Sequence, residues 1–166
     1  MISLEDLLFF MDAALDGMVA IVEELGDELA NYRLDVDETN SPYAILTHCI
    51  GVMEYWAGQV VAGRVIERDR AAEFVASGPV RPLVERVGRA RVQLARDLTE
   101  LQPFSPPRGP VAAADADLPL GRTQGGALLH LYEELAQHRG QMEGCRDVLR
   151  APWARLVRVA PDAASA

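Results

Sequence analysis

The sequence predicts an all-α protein, a four-helix bundle with a long Pro-rich loop before its last helix. Four long segments of the 166-residue chain carry apolar residues at helical spacing. The alternation typical of β-strands is nearly absent, and clusters of proline and glycine separate the four segments. Four helices of about twenty residues bury their apolar faces most economically in a single bundle.

The first helix is expected to run from Leu4 to Leu25. Ser3 is a suitable N-cap, and Gly26 is a typical helix stop. A short helical turn over residues 27–33 can follow before the polar loop “DVDETN”. The inward stripe consists of apolar residues three and four positions apart, namely Leu7, Leu8, Met11, Leu15, Met18, Val22 and Leu25.

The second helix is expected to begin after the N-cap Ser41, with Pro42 at its first position, and to fade near Gly63. Its inward face would be formed by Ile45, Cys49, Val52, Trp56 and Val60. His48 lies four residues before Val52, so its imidazole can also face inward.

The remaining helices follow less regular sequence. Residues 64–78 show no clear periodicity and lead to a third helix over about 80–101. A Pro-rich stretch over residues 102–122 predicts a long loop, and a fourth helix is expected over about 123–149. We predict one domain over residues 1–150 and a partly disordered C-terminal tail over 151–166.

The composition argues against two classes of partner. The net charge is -9, and the basic residues are all arginines interleaved with acids, which disfavours binding to nucleic acid. Acidic residues interrupt the apolar stretches, so no membrane span is expected.

Cys49 and Cys145 lie in apolar helical segments, where a free thiol usually acts as a small hydrophobe. Without a signal-peptide pattern, the expected location is cytoplasmic.

Two of the three histidines lie on one short segment with a glutamate midway between them. His130, Glu134 and His138 share one helical stripe, because each step of four residues advances only about 40° around the axis. His48 can face this stripe from across the core. Two imidazoles and one carboxylate form a known ligand set for catalytic zinc, and the set also suits nickel or another divalent transition metal. One interpretation is therefore a metal site formed by His48, Glu134 and His138.

Ordinary structural roles also fit these residues. A histidine on an apolar helix face is more often a hydrogen-bonded core residue than a ligand, and a Glu/His pair four residues apart is commonly a surface interaction. His130 competes with His138 for the ligand role, since both lie four residues from Glu134. It can instead lie beside the site or be exposed. Gln141 could orient a ligand or a bound water.

Two stretches resemble signatures of the DinB/YfiT-like metalloprotein superfamily. The stretch “SPYAILTHCIGVMEYWAGQVVAGR” resembles its second-helix signature, a histidine followed a turn or two later by an aromatic pair. The stretch “EELAQHRGQMEGCRDVLR” resembles its fourth-helix signature, in which a ligand pair at i, i+4 ends in His-Arg-Gly-Gln or His-x-Gly-His. “LGDELANYRLD” is similar to the family's opening, so the resemblance covers residues 4–150.

The resemblance implies a particular ligand set. Many superfamily members use three histidines, but Glu134 occupies the first position of the fourth-helix pair here. This pattern resembles the branch of the mycothiol-dependent maleylpyruvate isomerase metal-binding domain, whose zinc site is His, Glu and His. Carried over by position, the ligands are His48, Glu134 and His138. The sequence departs from that branch at Gln141, where several members have a histidine, and the departure concerns the substrate side of the site.

The resemblance also implies thiol chemistry. Family members are similar to S-transferases and isomerases in which a divalent metal activates a low-molecular-weight thiol, mycothiol or bacillithiol, for attack on an electrophilic substrate. Arg139 would meet an anionic substrate if it faced the cavity mouth, and would otherwise be solvated or paired with an acid. The members are often dimers, and “WARLVRV” offers an apolar strip for a homodimer or for the bundle's own flank.

Two further functions stay open at this point. A metal-bound hydroxide could hydrolyse an amide or ester, which would make the protein a metal-dependent hydrolase. A bundle with a vestigial site could instead act as a non-catalytic, stress-related protein that binds small molecules. The Pro-rich loop over 103–119 could shape the pocket of such a protein.

Overall fold

The computed structural model describes residues 3–36 and 39–151, and the regular structure within these ranges is entirely helical. This confirms the predicted all-α bundle. In chain order the helices are α1 (Leu4–Ala30), α2 (Pro42–Met53) with a π-helical continuation (Glu54–Val61), α3 (Arg70–Phe74), α4 (Val80–Asp97), α5 (Pro119–Arg122) and α6 (Gln124–Arg150). From residue 152 onward the predicted tail lies outside the described ranges, as does its “WARLVRV” strip, so the predicted homodimer stays a prediction.

The starts of three long helices follow from local sequence. The Ser3 hydroxyl accepts a hydrogen bond from the Asp6 N–H at 3.0 Å, and the Asp6 carboxylate accepts one from the Ser3 N–H at 3.3 Å, which forms a capping box. Ser41 caps α2, and Pro42 occupies the first helical position as predicted. The Thr123 side chain caps α6.

Two helix ends differ from the expectation. Gly26 adopts a φ of 65°, a left-handed conformation that favours glycine, but the chain resumes helical geometry and α1 continues to Ala30. The predicted stop is therefore a kink inside one element. α4 ends at Asp97, before the predicted Leu101. Across the described ranges, no helix combines the length and apolar content that crossing a bilayer demands.

The centre of the bundle is α2. Every residue from Pro42 to Met53 is buried, because α2 packs against α1, α3, α4 and α6. The predicted inward face is buried, and so is the rest of the helix, as expected for an element surrounded by others. After Met53 the winding changes to π-helical. Such windings are rare and often occur at functional sites, and the sequence pattern did not predict this one.

The Pro-rich loop forms a wall that is hydrogen-bonded to the π-helical segment. The Gly109 N–H donates to the Val60 carbonyl at 3.3 Å, and the Ala112 N–H donates to the Tyr55 hydroxyl at 3.1 Å. A Cβ atom at Gly109 would overlap the backbone oxygen of Gln59, so the close approach requires glycine. The loop therefore closes one side of the space next to the π-helical segment.

Candidate metal site

Three of the side chains singled out in the sequence meet between α2 and α6. One nitrogen or oxygen atom from each of His48, Glu134 and His138 lies within 4.8 Å of the other two. Nε2 of His138 is 3.5 Å from Oε2 of Glu134, and Nε2 of His48 is 3.8 Å from the same oxygen. Within the described residues, this is the group of histidine, cysteine and acidic side chains with the spacing of a metal site.

Hydrogen bonds on the far side of each ring orient the two imidazoles. Nδ1 of His48 lies 2.7 Å from Oε2 of Glu73, and Nδ1 of His138 lies 3.0 Å from Oε1 of Gln141. Both partners are acceptors, so this network assigns the ring proton to Nδ1 in each case. The Nε2 lone pairs then face Glu134. This is the orientation in which histidine binds a metal through Nε2.

The carboxylate behind His48 belongs to a buried ion pair. Glu73 of α3 accepts two hydrogen bonds from the Arg68 guanidinium, at 2.7 Å and 2.8 Å. Burial opposes ionisation of Glu73, but the hydrogen bonds from Arg68 and His48 prevail and lower the pKa of its carboxyl. A Cβ atom at Gly51 would overlap Oε1 of Glu73, so the α2 backbone makes room for this carboxylate.

Glu73 and Arg68 were not predicted from the sequence. They lie in the segment without periodicity, where charged residues normally face solvent. The available signal was weak. Asp69 is a suitable N-cap, and its side chain accepts a hydrogen bond from the Ala72 N–H at 3.0 Å. A short helix starting there carries Glu73 in its first turn, but nothing in the sequence says which way this helix faces.

The electrostatics of the triad favour a bound cation. The imidazole of His138, followed by that of His48, holds the pKa of the Glu134 carboxyl well below its usual range. In turn, Glu134 raises the pKa of His138. The Glu134 carboxylate therefore favours positive charge in the space that it shares with the two imidazoles. A divalent metal bound by the three side chains would supply this positive charge.

The chemistry and spacing of the three groups fit zinc or a similar divalent ion. Two ligands about 2.1 Å from a tetrahedral ion lie about 3.4 Å apart. The two Nε2–Oε2 distances of 3.5 Å and 3.8 Å are close to this separation and longer than a direct hydrogen bond. The three donors span two helices, so an open coordination position can face the space between them.

His130 lies beside the triad and faces the other oxygen of Glu134. Its Nε2 is 3.7 Å from Oε1 of Glu134, and its Nδ1 is 3.1 Å from Oε2 of Glu133. The ring also contacts the edge of Trp56, with centroids 4.9 Å apart. His130 thus flanks the glutamate, whereas His138 and His48 share its Oε2.

Arg139 lies away from the triad, against α1. Its guanidinium pairs with Glu143 at 2.9 Å and contacts the backbone oxygen of Ala13 at 3.3 Å. The side chain also covers Gly17, where a Cβ atom would overlap it. This placement matches the alternative in which Arg139 is the structural partner of an acid.

Neither cysteine lies in a setting that favours a reactive thiolate. Burial is the main cause that raises the pKa of the Cys49 thiol, whose sulfur lies 3.7 Å from that of Met18. Burial also raises the pKa of Cys145. Both residues therefore act as core side chains.

A cavity of ≈ 580 Å³ opens beside the triad, within the size range of small-molecule sites. Its walls come from α2, the π-helical segment, α6, the connection before α3, the start of α3 and the Pro-rich loop. The lining includes His48, Tyr55, Trp56, His130 and Glu134. A second cavity of ≈ 330 Å³ between α2 and α4 contains none of the triad residues. Two residues of the triad, His48 and Glu134, therefore line the larger of these two cavities.

A helical bundle whose second and last long helices present two imidazoles and a carboxylate beside a cavity has the architecture of the DinB/YfiT-like class. The family model described as mycothiol-S-transferase matches residues 6–151. The chain therefore belongs to the mycothiol-S-transferase family, a branch related to mycothiol-dependent enzymes. No curated protein matches the chain.

Proposed function

We propose that the protein is a zinc-dependent mycothiol S-transferase that joins the sulfur of the thiol to an electrophilic carbon of a small-molecule substrate. The observation that carries the proposal is the pair of Nε2 atoms directed at one oxygen of Glu134, next to a cavity of suitable size. Family membership supports the reaction class and the thiol.

In this proposal His48, Glu134 and His138 hold the ion. The two imidazoles are neutral ligands, and the carboxylate offsets part of the double positive charge. Zinc with an open position lowers the pKa of a bound thiol, so that the sulfur is nucleophilic at neutral pH. A low-molecular-weight thiol from outside the chain fits this role, because burial raises the pKa of both protein thiols.

The chain's own residues prepare the site. Glu73 and Gln141 accept the Nδ1 protons and thereby keep both Nε2 atoms directed at Glu134. Trp56 and Tyr55 of the π-helical segment line the cavity, and the Trp56 ring packs against His130. The Ala112 N–H holds the Tyr55 hydroxyl in place from the loop.

A pair of adjacent substitutions on α6 tests the metal ligands. Glu134→Gln keeps the size of the side chain but removes its charge, and Glu133→Gln makes the same change at an exposed neighbour. We expect the wild type and Glu133→Gln to bind one zinc ion per chain. We expect Glu134→Gln to lose more than about 100-fold in zinc affinity and to lose thiol transfer with it. Metal analysis and chelator competition measure the affinity.

The same proteins separate the competing functions. Mycothiol consumption matched to product formation supports transfer, and bacillithiol tests which thiol is used. Turnover of an ester or amide without thiol would replace transfer by hydrolysis. Apolar ligand binding that survives Glu134→Ala combined with His138→Ala, without any turnover, would indicate a non-catalytic binding bundle. A wild type that binds no stoichiometric divalent metal would contradict the proposal.

A further inference from the structure

Two arginines line the cavity beside the triad, and one of them is paired with a carboxylate. Arg68 directs two nitrogens at the two oxygens of Glu73, at 2.7 Å and 2.8 Å. This bidentate geometry pairs the Arg68 charge with the carboxylate and uses two of the three guanidinium nitrogens. Arg68 therefore belongs to the support of His48.

The second arginine is Arg70, the first residue of α3. Its guanidinium carbon lies 5.3 Å from the centre of the Phe74 ring, and Phe74 stacks on the His48 ring with centroids 4.6 Å apart. Among the described residues, no carboxylate lies within ion-pair distance of Arg70, whose side chain is exposed at the cavity edge. Phe74 thus contacts both the Arg70 guanidinium and the His48 ring. A cation with free N–H donors therefore lies close to the triad.

The Pro-rich loop contributes a charge of the other sign to the cavity wall. Asp115 of the Pro-rich loop lines the same cavity, and no arginine of the described chain lies within ion-pair distance of its carboxylate. An anionic group in the cavity is repelled by Asp115 and attracted by Arg70. The two charges therefore orient a charged substrate with its anionic end at the α3 side.

We propose that Arg70 binds a carboxylate of the electrophilic substrate, so that the substrates are small electrophiles with a carboxylate a few bonds from the reactive carbon. This substrate class rests on the proposed transferase function. Arg70 can form a bidentate pair with a carboxylate while Phe74 supports its guanidinium plane. The electrophilic carbon then lies on the side of the anion that faces His48 and Glu134.

A matched pair of electrophiles tests the substrate class. With mycothiol and the zinc-loaded protein, 2-chloroacetate and 2-chloroacetamide undergo the same substitution. The sulfur bonds to the methylene carbon, chloride leaves with the electron pair of the C–Cl bond, and the thiol proton passes to the solvent. The variants are Arg70→Gln, Arg70→Lys, and Arg81→Gln as the control, since the Arg81 side chain on α4 is 91% exposed.

Binding of unreactive probes provides a readout that does not depend on turnover. Calorimetry compares the affinity of each zinc-loaded protein for succinate and succinamide. We expect the wild type to prefer the carboxylate in both assays and Arg70→Gln to lose about tenfold of that preference, equivalent to one charge-assisted hydrogen bond. Arg70→Lys keeps the charge but not the planar fork, so we expect it to keep only part of the preference, and Arg81→Gln to keep all of it.

Two results overturn the proposal: a wild type that does not prefer the carboxylate, or a preference that persists in Arg70→Gln. If neither chloroacetate nor chloroacetamide alkylates mycothiol, the transferase function fails, and the succinate comparison still decides whether Arg70 binds a carboxylate. If both electrophiles react with unchanged selectivity in Arg70→Gln, the transferase function stands and the role of Arg70 is rejected.

Discussion

The two histidines of the triad are supported in different ways. His48 is almost completely buried, and the carboxylate that accepts its Nδ1 proton comes from another helix and is itself paired with Arg68. The amide that accepts the Nδ1 proton of His138 comes from Gln141, three residues further along the same helix and near the surface. The half of the site on α2 is thus fixed by tertiary structure and charge, and the half on α6 by local geometry.

This difference has an energetic consequence. A hydrogen bond to a charged acceptor is roughly twice as strong as one between neutral groups, and burial increases the contrast. The carboxylate of Glu73 also makes the His48 ring a more basic ligand than an amide acceptor would. We therefore expect metal binding to depend more on the support of His48 than on the support of His138.

Removing the charge of Glu73 is expected to have the largest effect. Glu73→Gln can still accept the Nδ1 proton, but it leaves Arg68 partly buried without a carboxylate. We expect zinc affinity to fall by about 100-fold and stability by about 3 kcal/mol. Chelator competition and thermal unfolding measure the two effects.

Glu67→Gln is the matched control, because Glu67 is exposed in the same segment. Equal zinc affinities for Glu73→Gln and Glu67→Gln would show that the carboxylate behind His48 does not contribute to metal binding.

Displacing Glu73 without changing it is expected to have an intermediate effect. In Gly51→Ala the new Cβ overlaps Oε1 of Glu73, so the carboxylate must move away from His48. We expect about a tenfold loss of zinc affinity and a lower Tm from the crowding. Gly88→Ala on α4 places its Cβ in open space and should raise the Tm slightly. If Gly51→Ala matched the wild type in both Tm and zinc affinity, Glu73 could move without any loss of stability or metal binding.

Changing the support of His138 is expected to have the smallest effect. Gln141→Ala removes a neutral acceptor near the surface, where water can replace it, so we expect a loss of less than about tenfold in zinc affinity. Gln141→Glu gives His138 the kind of acceptor that His48 has and should bind zinc at least as tightly as the wild type. A larger loss for Gln141→Ala than for Glu73→Gln would reverse the proposed order.

The same contrast explains what the sequence could predict. The spacing of His130, Glu134 and His138 places all three on one stripe of α6, and the structure retains this geometry with Glu134 between the two rings. The helical periodicity and the capping residues also predicted the four long helices of the bundle. These features depend on residues a few positions apart, so the sequence contains them directly.

The unpredicted features depend on contacts between distant segments. Glu73 is buried because α3 folds over Gly51 and places the carboxylate against His48, an arrangement of three elements that no local pattern encodes. The π-helical winding after Met53 coincides with contacts from the Pro-rich loop to Tyr55 and Val60, which lie about fifty residues earlier. Periodicity could identify α2, but not the change in its winding.

Histidine NMR tests the central claim most directly, because the chain has three imidazoles. In ¹⁵N-labelled protein we expect one equivalent of zinc to shift the Nε2 signals of His48 and His138 as direct ligands, with Nδ1 of both rings still protonated. Nε2 of His130 should remain unligated. Zinc that binds His130 in place of His48 or His138, or that leaves all three rings unchanged, would contradict the proposed metal site.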